Sequence, residues 1–218
     1  MMNNLRSSRG SRRLAHGWRL ADRTDLSEEI IREFIRPAAR AVPRALAARL
    51  KRCRIGLPSR LMNAALASQW VEADDNWLEI EVAGEGIDGH DLALELLLCL
   101  GQALWEAALP GERETYLTLL RTEIEAGVEG EIDEEAIREK HALFSSQASA
   151  RSRIRLERYA RASFASTVAE YIHCLWHDVT VRRGREHLPV PWLRRRLALF
   201  ARWFPPDRGQ CLFPHRSS

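Results

Sequence analysis

Residues 90–109, HDLALELLLCLGQALWEAAL, are apolar almost all the way round when wound as a helix. A helix of that kind is buried on most of its circumference, so it must run through the middle of the fold with other elements packed around it. One narrow stripe departs from the pattern. Asp91, Glu95, Cys99, Gln102 and Glu106 recur at helical spacing and therefore line one side. That stripe has two readings: a strip of solvent-facing surface, or one wall of a cleft.

The flanking sequence says what surrounds this helix. Gly84, Gly86 and Gly89 break the chain before it. Upstream, residues 77–82 (WLEIEV) alternate with a period of two, and residues 65–71 form a second strand joined to them through Asp74-Asp75-Asn76, a hairpin pattern. Residues 53–57 (CRIGL), stopped by Pro58, give a third strand. Before the strands, Asp25 to Glu29 supplies an N-cap and acidic first turn for a helix, with Pro37 restarting it and Pro43 kinking it. After residue 109 the periodicity is helical throughout: 112–126, 133–146, 150–179 and 191–203, the last stopped by Pro205-Pro206. The run Gly130 to Glu135 reads as an exposed loop leading into a helix N-terminus. The predicted class is α+β: a small three-stranded mixed sheet with a backing helix and a central buried helix, followed by a helical C-terminal half. Residues 18–206 read as a single domain, between a disordered basic tail (1–17) and a C-terminal tail (207–218).

Composition narrows the functional classes. No apolar run approaches the roughly 18 residues that a membrane span requires, so no membrane role is expected. The formal charge of +3 comes almost wholly from arginine, and the basic residues are mixed with acids along the chain, which argues against nucleic acid as a partner. Cys53, Cys99, Cys174 and Cys211 are far apart with no CxxC pair, the pattern of reduced thiols in a cytoplasmic protein. Trp18, Trp192 and Trp203 are candidates for an exposed partner surface.

The order of elements, together with Leu98-Cys99-Leu100-Gly101-Gln102-Ala103-Leu104-Trp105, resembles the zincin-like metallopeptidases. In that superfamily a backing helix and a small sheet precede a central HExxH helix, and a later helix supplies the third zinc ligand. The resemblance covers about residues 26–179 and rests on Gly101-Ala103-Leu104-Trp105 and the strand pattern. It implies that Leu98 and Gln102 occupy two ligand positions, Cys99 the general-base position and Glu170 the third-ligand position. Zinc hydrolysis needs ligands that hold the metal with an open position and a base beside its water. Leucine and glutamine do not provide them. The resemblance therefore implies a non-catalytic protein without cofactor, whose former cleft, at Glu95, Cys99, Gln102 and Glu170, serves an unidentified protein or peptide partner.

A rival reading comes from EYIHCLWHD, residues 170–178. On a helix, Glu170, His173, Cys174 and His177 share about a third of the circumference, with Asp178 at its margin and an apolar back of Val168, Ile172, Leu175, Trp176 and Val179. Two histidines four residues apart suit a shared metal. In this alternative Glu170, His173 and His177 hold zinc in a metal-dependent hydrolase. The competing explanation is a set of polar residues on one helix face, hydrogen-bonded to neighbours or solvent.

Overall fold

A computed structural model describes residues 12–73, 76–145, 149–177, 184 and 186–212. The chain is α+β and divides into two compact units, residues 1–99 and 100–218. The division falls inside the apolar helix, after Cys99.

The first unit is built on a five-stranded mixed sheet, β1 (Arg12–Arg13), β2 (Arg19–Thr24), β3 (Arg52–Leu57), β4 (Ser68–Ala73) and β5 (Trp77–Val82), in the order β1-β2-β3-β5-β4. Three of these are the strands expected from alternation, although β4 begins later than residue 65. The other two correct the expected three-stranded sheet, and they take residues 12–17 out of the expected tail. β1 and β2 were missed because their alternation is short and arginine-rich: Arg13 pairs with Arg19 across a tight 3-10 turn, Ala15–Gly17, where His16 and Gly17 both take positive φ. Trp18, expected at the surface, is 1% exposed and joins the core with Leu20.

β2 and β3 run parallel, as do β3 and β5, while β4 is antiparallel to β5 and forms an edge of the sheet. The β4–β5 hairpin turns through Asn76 at φ 65°; Asp74 and Asp75 lie outside the described residues. On β3 and β5 one face is core, Cys53, Ile55, Leu57, Leu78, Ile80 and Val82. The other carries Arg54, which pairs with Glu79 at 2.5 Å and stacks 4.9 Å over the Trp77 ring.

The parallel β2–β3 step needs a crossover, supplied by α1 (Glu28–Ile30), α2 (Arg36–Ala41) and α3 (Arg44–Ala47). Ser27 caps α1 by accepting from the Ile30 amide. Pro37 does not restart the helix here. The chain widens into a π-helical turn, Ile31–Ile35, closed by the Arg36 amide on the Ile31 carbonyl, and proline then falls in the first turn of α2, where its missing N–H costs nothing. Val42 is extended before Pro43, as the residue before proline prefers, and this separates α2 from α3. The apolar helix, α4 (Gly89–Glu106), buries Leu92, Ala93, Leu96, Leu97, Cys99, Leu100, Ala103, Leu104 and Trp105. Its first residue is glycine for a steric reason: a Cβ at Gly89 would lie 2.3 Å from the Phe34 ring.

The second unit holds α5 (Pro110–Glu125), α6 (Glu134–Phe144), α7 (Ser149–Cys174) and α8 (Val190–Trp203). The helix expected to reach 109 stops at 106 because Leu109, before Pro110, is extended. An aromatic cluster fills the core. Phe164 meets Trp105, Tyr116 and Phe200 edge-on at ring-centre distances of 5.1, 5.2 and 4.9 Å. The C-terminal tail is partly packed, since Leu212 is buried; residues 1–11 and 213–218 lie outside the described set. Among the described residues no single helix is long and apolar enough to cross a membrane.

Candidate functional site

The polar stripe of α4 does not run along solvent from end to end. Asp91 and Glu106 are exposed, Glu95 and Gln102 are half-buried, and Cys99 is buried. Glu95 accepts a hydrogen bond of 2.8 Å from the Ser68 hydroxyl, tying the start of β4 to α4. Cys99 shares this pair: burial pushes its thiol up to about 12, against a hydrogen bond from Ser68 that works the other way. An un-ionised thiol is a poor nucleophile and a poor metal ligand. Leu98, half-buried, offers no donor. The stripe is thus two separate polar stretches joined by a buried sulfur.

In the second unit α4 crosses α7 at very short range. A Cβ at Gly101 would lie 2.6 Å from the Ala165 carbonyl oxygen and 2.7 Å from its Cα, so glycine here is what lets two helix backbones touch. Gln102 follows Gly101 directly, and Glu170 lies downstream of Ala165 on α7.

At the end of α7 the structure changes the expected metal cluster. The helix stops at Cys174, not near 179, and the Leu175 and Trp176 amides bond three residues back, a 3-10 tightening. His177 therefore leaves the helix and is exposed. Glu170 Oε2 lies 3.8 Å from His173 Nδ1, the Cys174 thiol donates to Glu170 Oε1 at 3.7 Å, and the His173 and His177 rings are 5.5 Å apart. The Trp176 ring lies closer to His177, at 4.4 Å and tilted by 52°. Burial, with the Glu170 carboxylate beside it, pushes the Cys174 thiol well up. Among the described residues, the three-donor group whose ligand atoms all lie within 4.8 Å of one another is Asp88, His90 and Asp91, at the N-terminus of α4; His173 neighbours both Glu170 and His177, without such convergence of the three. Asp178 and Val179 lie outside the described residues. Of the face expected to be polar, Glu170 and His173 are half-buried, His177 is exposed and Cys174 is buried, while Val168 and Ile172 of the apolar back are buried.

The largest polar constellation was not read from the sequence. Arg196 on α8, fully buried, donates through Nε to Glu123 of α5 at 3.0 Å, and through Nη1 and Nη2 to Glu131 at 2.8 and 2.7 Å. Lys140 of α6 completes a charge-balanced set, with Nζ 3.3 Å from Glu131, and the Tyr159 hydroxyl donates to the same carboxylate. Arg196 also reaches the Ser163 hydroxyl at 2.7 Å, and that hydroxyl, with Thr167, flanks the Tyr116 hydroxyl. Burial alone would raise the Glu131 carboxyl, but the Arg196 guanidinium outweighs it and holds the group at about 2. Glu131, expected in an exposed loop, is inside because the Gly130–Ile132 segment pairs with residues 186–188 through backbone bonds of 3.0 Å. Arg196 is the one buried member of Arg194-Arg195-Arg196. Its place at the start of the buried positions 196, 197, 199 and 200 was the available signal. With Arg196, Glu123, Glu131 and Lys140 fully buried, this set holds α5, α6, α7 and α8 together rather than meeting a ligand.

No protein-family model, curated protein or solved structure matches this chain.

Proposed function

We propose that the protein is a non-catalytic relative of the zincin-like metallopeptidases, working in the cytoplasm as a binding or assembly module for an extended segment of a partner protein. The observation that carries the binding half is β4. It is a six-residue edge strand, and it is fed by a loop, Met62 to Ala67, whose residues are all exposed, Met62 at 80%. An open edge offers unpaired backbone donors and acceptors to an added strand, and exposed apolar side chains beside it supply pockets for alternate residues. The non-catalytic half rests on α4, where Leu98, a high-pKa Cys99 and Gln102 stand at the positions that the resemblance assigns to chemistry. Four free thiols, three of them buried, support a reducing compartment.

Peptides selected from a random display library against the full chain are expected to slow amide exchange of residues 68–73. At a peptide concentration ten times Kd the slowing is about tenfold. Selected peptides that leave β4 exchanging at its free rate, or a screen that returns none, would overturn the proposal.

The contacts of His173 with Glu170 and with His177 favour one second reading, the metal-dependent hydrolase with a relocated site. Metal analysis separates the two. Under the leading proposal the purified protein carries zinc far below one per chain, unchanged by His177→Ala. Near-stoichiometric zinc that this substitution removes would establish the rival.

A further inference from the structure

We propose that the first unit carries a phosphate-monoester pocket between the β1–β2 turn and α2, built from Arg13, Arg36 and Arg40. This inference is independent of the reading of α4 and β4. A cavity of ≈ 250 Å³ is lined there by Arg13, Leu14, Ala15, Arg36 and Arg40. Arg36 and Arg40 are four residues apart on α2 and so project from one face. Arg36 Nη1 donates to the Arg13 carbonyl at 3.3 Å, which fixes the turn against the helix and leaves the rest of its guanidinium to the cavity.

Charge accounting singles out these three residues. Among the described residues of this unit other arginines have partners: Arg12 pairs with Glu28, Arg32 with Glu33, Arg54 with Glu79 and Arg60 with Glu85, while Arg19 and Arg52 lie over Trp77. Among the described residues no carboxylate pairs with Arg13, Arg36 or Arg40, and the acids Glu28 and Glu33 are engaged by Arg12 and Arg32. Three like charges around one cavity repel one another, and Arg36 with Arg40 opposes the helix that carries them. An anion in the cavity removes that repulsion.

The chemistry of the lining selects the anion. A guanidinium is a planar fork that binds two oxygens at once. A carboxylate has two oxygens and satisfies one such fork, whereas a phosphate monoester offers three terminal oxygens and a charge near −2. Three guanidinium groups fit the second. Leu14 and Ala15 give an apolar wall for a short organic body, and the volume, just under the usual range of about 300–1,000 Å³ for ligand pockets, restricts the ligand to a small one.

Titration calorimetry of the full chain with phenyl phosphate, at constant ionic strength, is expected to give saturable binding. Arg40→Gln and Arg36→Gln should each weaken it by about tenfold, the usual effect of losing a charge-assisted hydrogen bond. Arg40 is exposed, so its variant should melt with the wild type when no ligand is present. Vesicles of phosphatidylcholine with and without phosphatidic acid distinguish a lipid headgroup from a free ester: acid-dependent binding that Arg40→Gln weakens assigns the same pocket to a lipid. Absence of saturable binding to either probe, or binding that the Arg36→Gln/Arg40→Gln double variant leaves unchanged, would overturn the proposal.

Discussion

Arg196→Ala destabilises the helical unit by about 3–5 kcal/mol, the cost of leaving buried charges without their counter-charge. At the 2–4 °C per kcal/mol typical of chains this size, its melting point falls by about 6–20 °C. The reason lies in how many groups one guanidinium satisfies. Without it Glu123 loses all three of its contacts to Arg196, and Glu131 keeps Lys140, the Tyr159 hydroxyl and the Ile132 amide. The same network sets the acid limit of the fold. Glu131 is held at about 2 against an ordinary 4.5, so the stability it contributes is present above 4.5 and is lost as pH falls through 2. Asp133, the N-cap of α6, works oppositely. Burial raises it to about 6 from 3.8, and stability is therefore gained as pH falls from 6 toward 3.8. Thermal melts should rise slightly between pH 7 and 5 and fall steeply below about 4. An Arg196→Ala protein that melts with the wild type would refute the structural role assigned to the network.

Gly101→Ala and Gly111→Ala are expected to move stability in opposite directions. Alanine is the better helix former at both sites by about 1 kcal/mol, so propensity alone predicts a gain twice. At Gly111, in the first turn of α5, an added Cβ meets nothing within 4 Å, and a gain of about 0.5–1 kcal/mol should be seen. At Gly101 the same atom would sit 2.6 Å from a backbone oxygen of α7, and backbone cannot turn aside as a side chain can. The helices must part, which costs about 1–3 kcal/mol and outweighs the propensity gain. Chemical denaturation of the two variants side by side measures the difference in sign. A stabilised Gly101→Ala protein would mean that α4 and α7 are not in backbone contact.

The sequence disclosed elements wherever burial imposed a simple period. Trp77 to Val82 alternates because one face of β5 is core, and the run from Leu92 to Trp105 is apolar because α4 is covered on most sides. The prolines announced the breaks at 43 and 110 for the same reason: a missing N–H and a constrained neighbour act locally. Legibility ended where partners are distant. Arg13 and Arg19 form a β ladder with no alternation to betray it, and Trp18 looked like a surface residue until β2 carried it inside. The candidate site divides likewise. That Leu98 offers zinc no donor and Gln102 a poor one follows from their side chains alone, while the un-ionised thiol of Cys99 follows from its burial and the departure of His177 from the helix from where α7 ends.

By itself, then, the chain determined an α+β composition, the existence and burial of α4 and the absence of HExxH, since each depends on residue type and short-range spacing. Tertiary structure decided the rest. It drew Glu123, Glu131, Lys140 and Arg196 from four separated segments into one dry network, and it gathered Arg13, Arg36 and Arg40 around one cavity. Charges look alike in a sequence whether they face water or each other. Only the fold, by removing the solvent from some and the counter-charges from others, gives them different work.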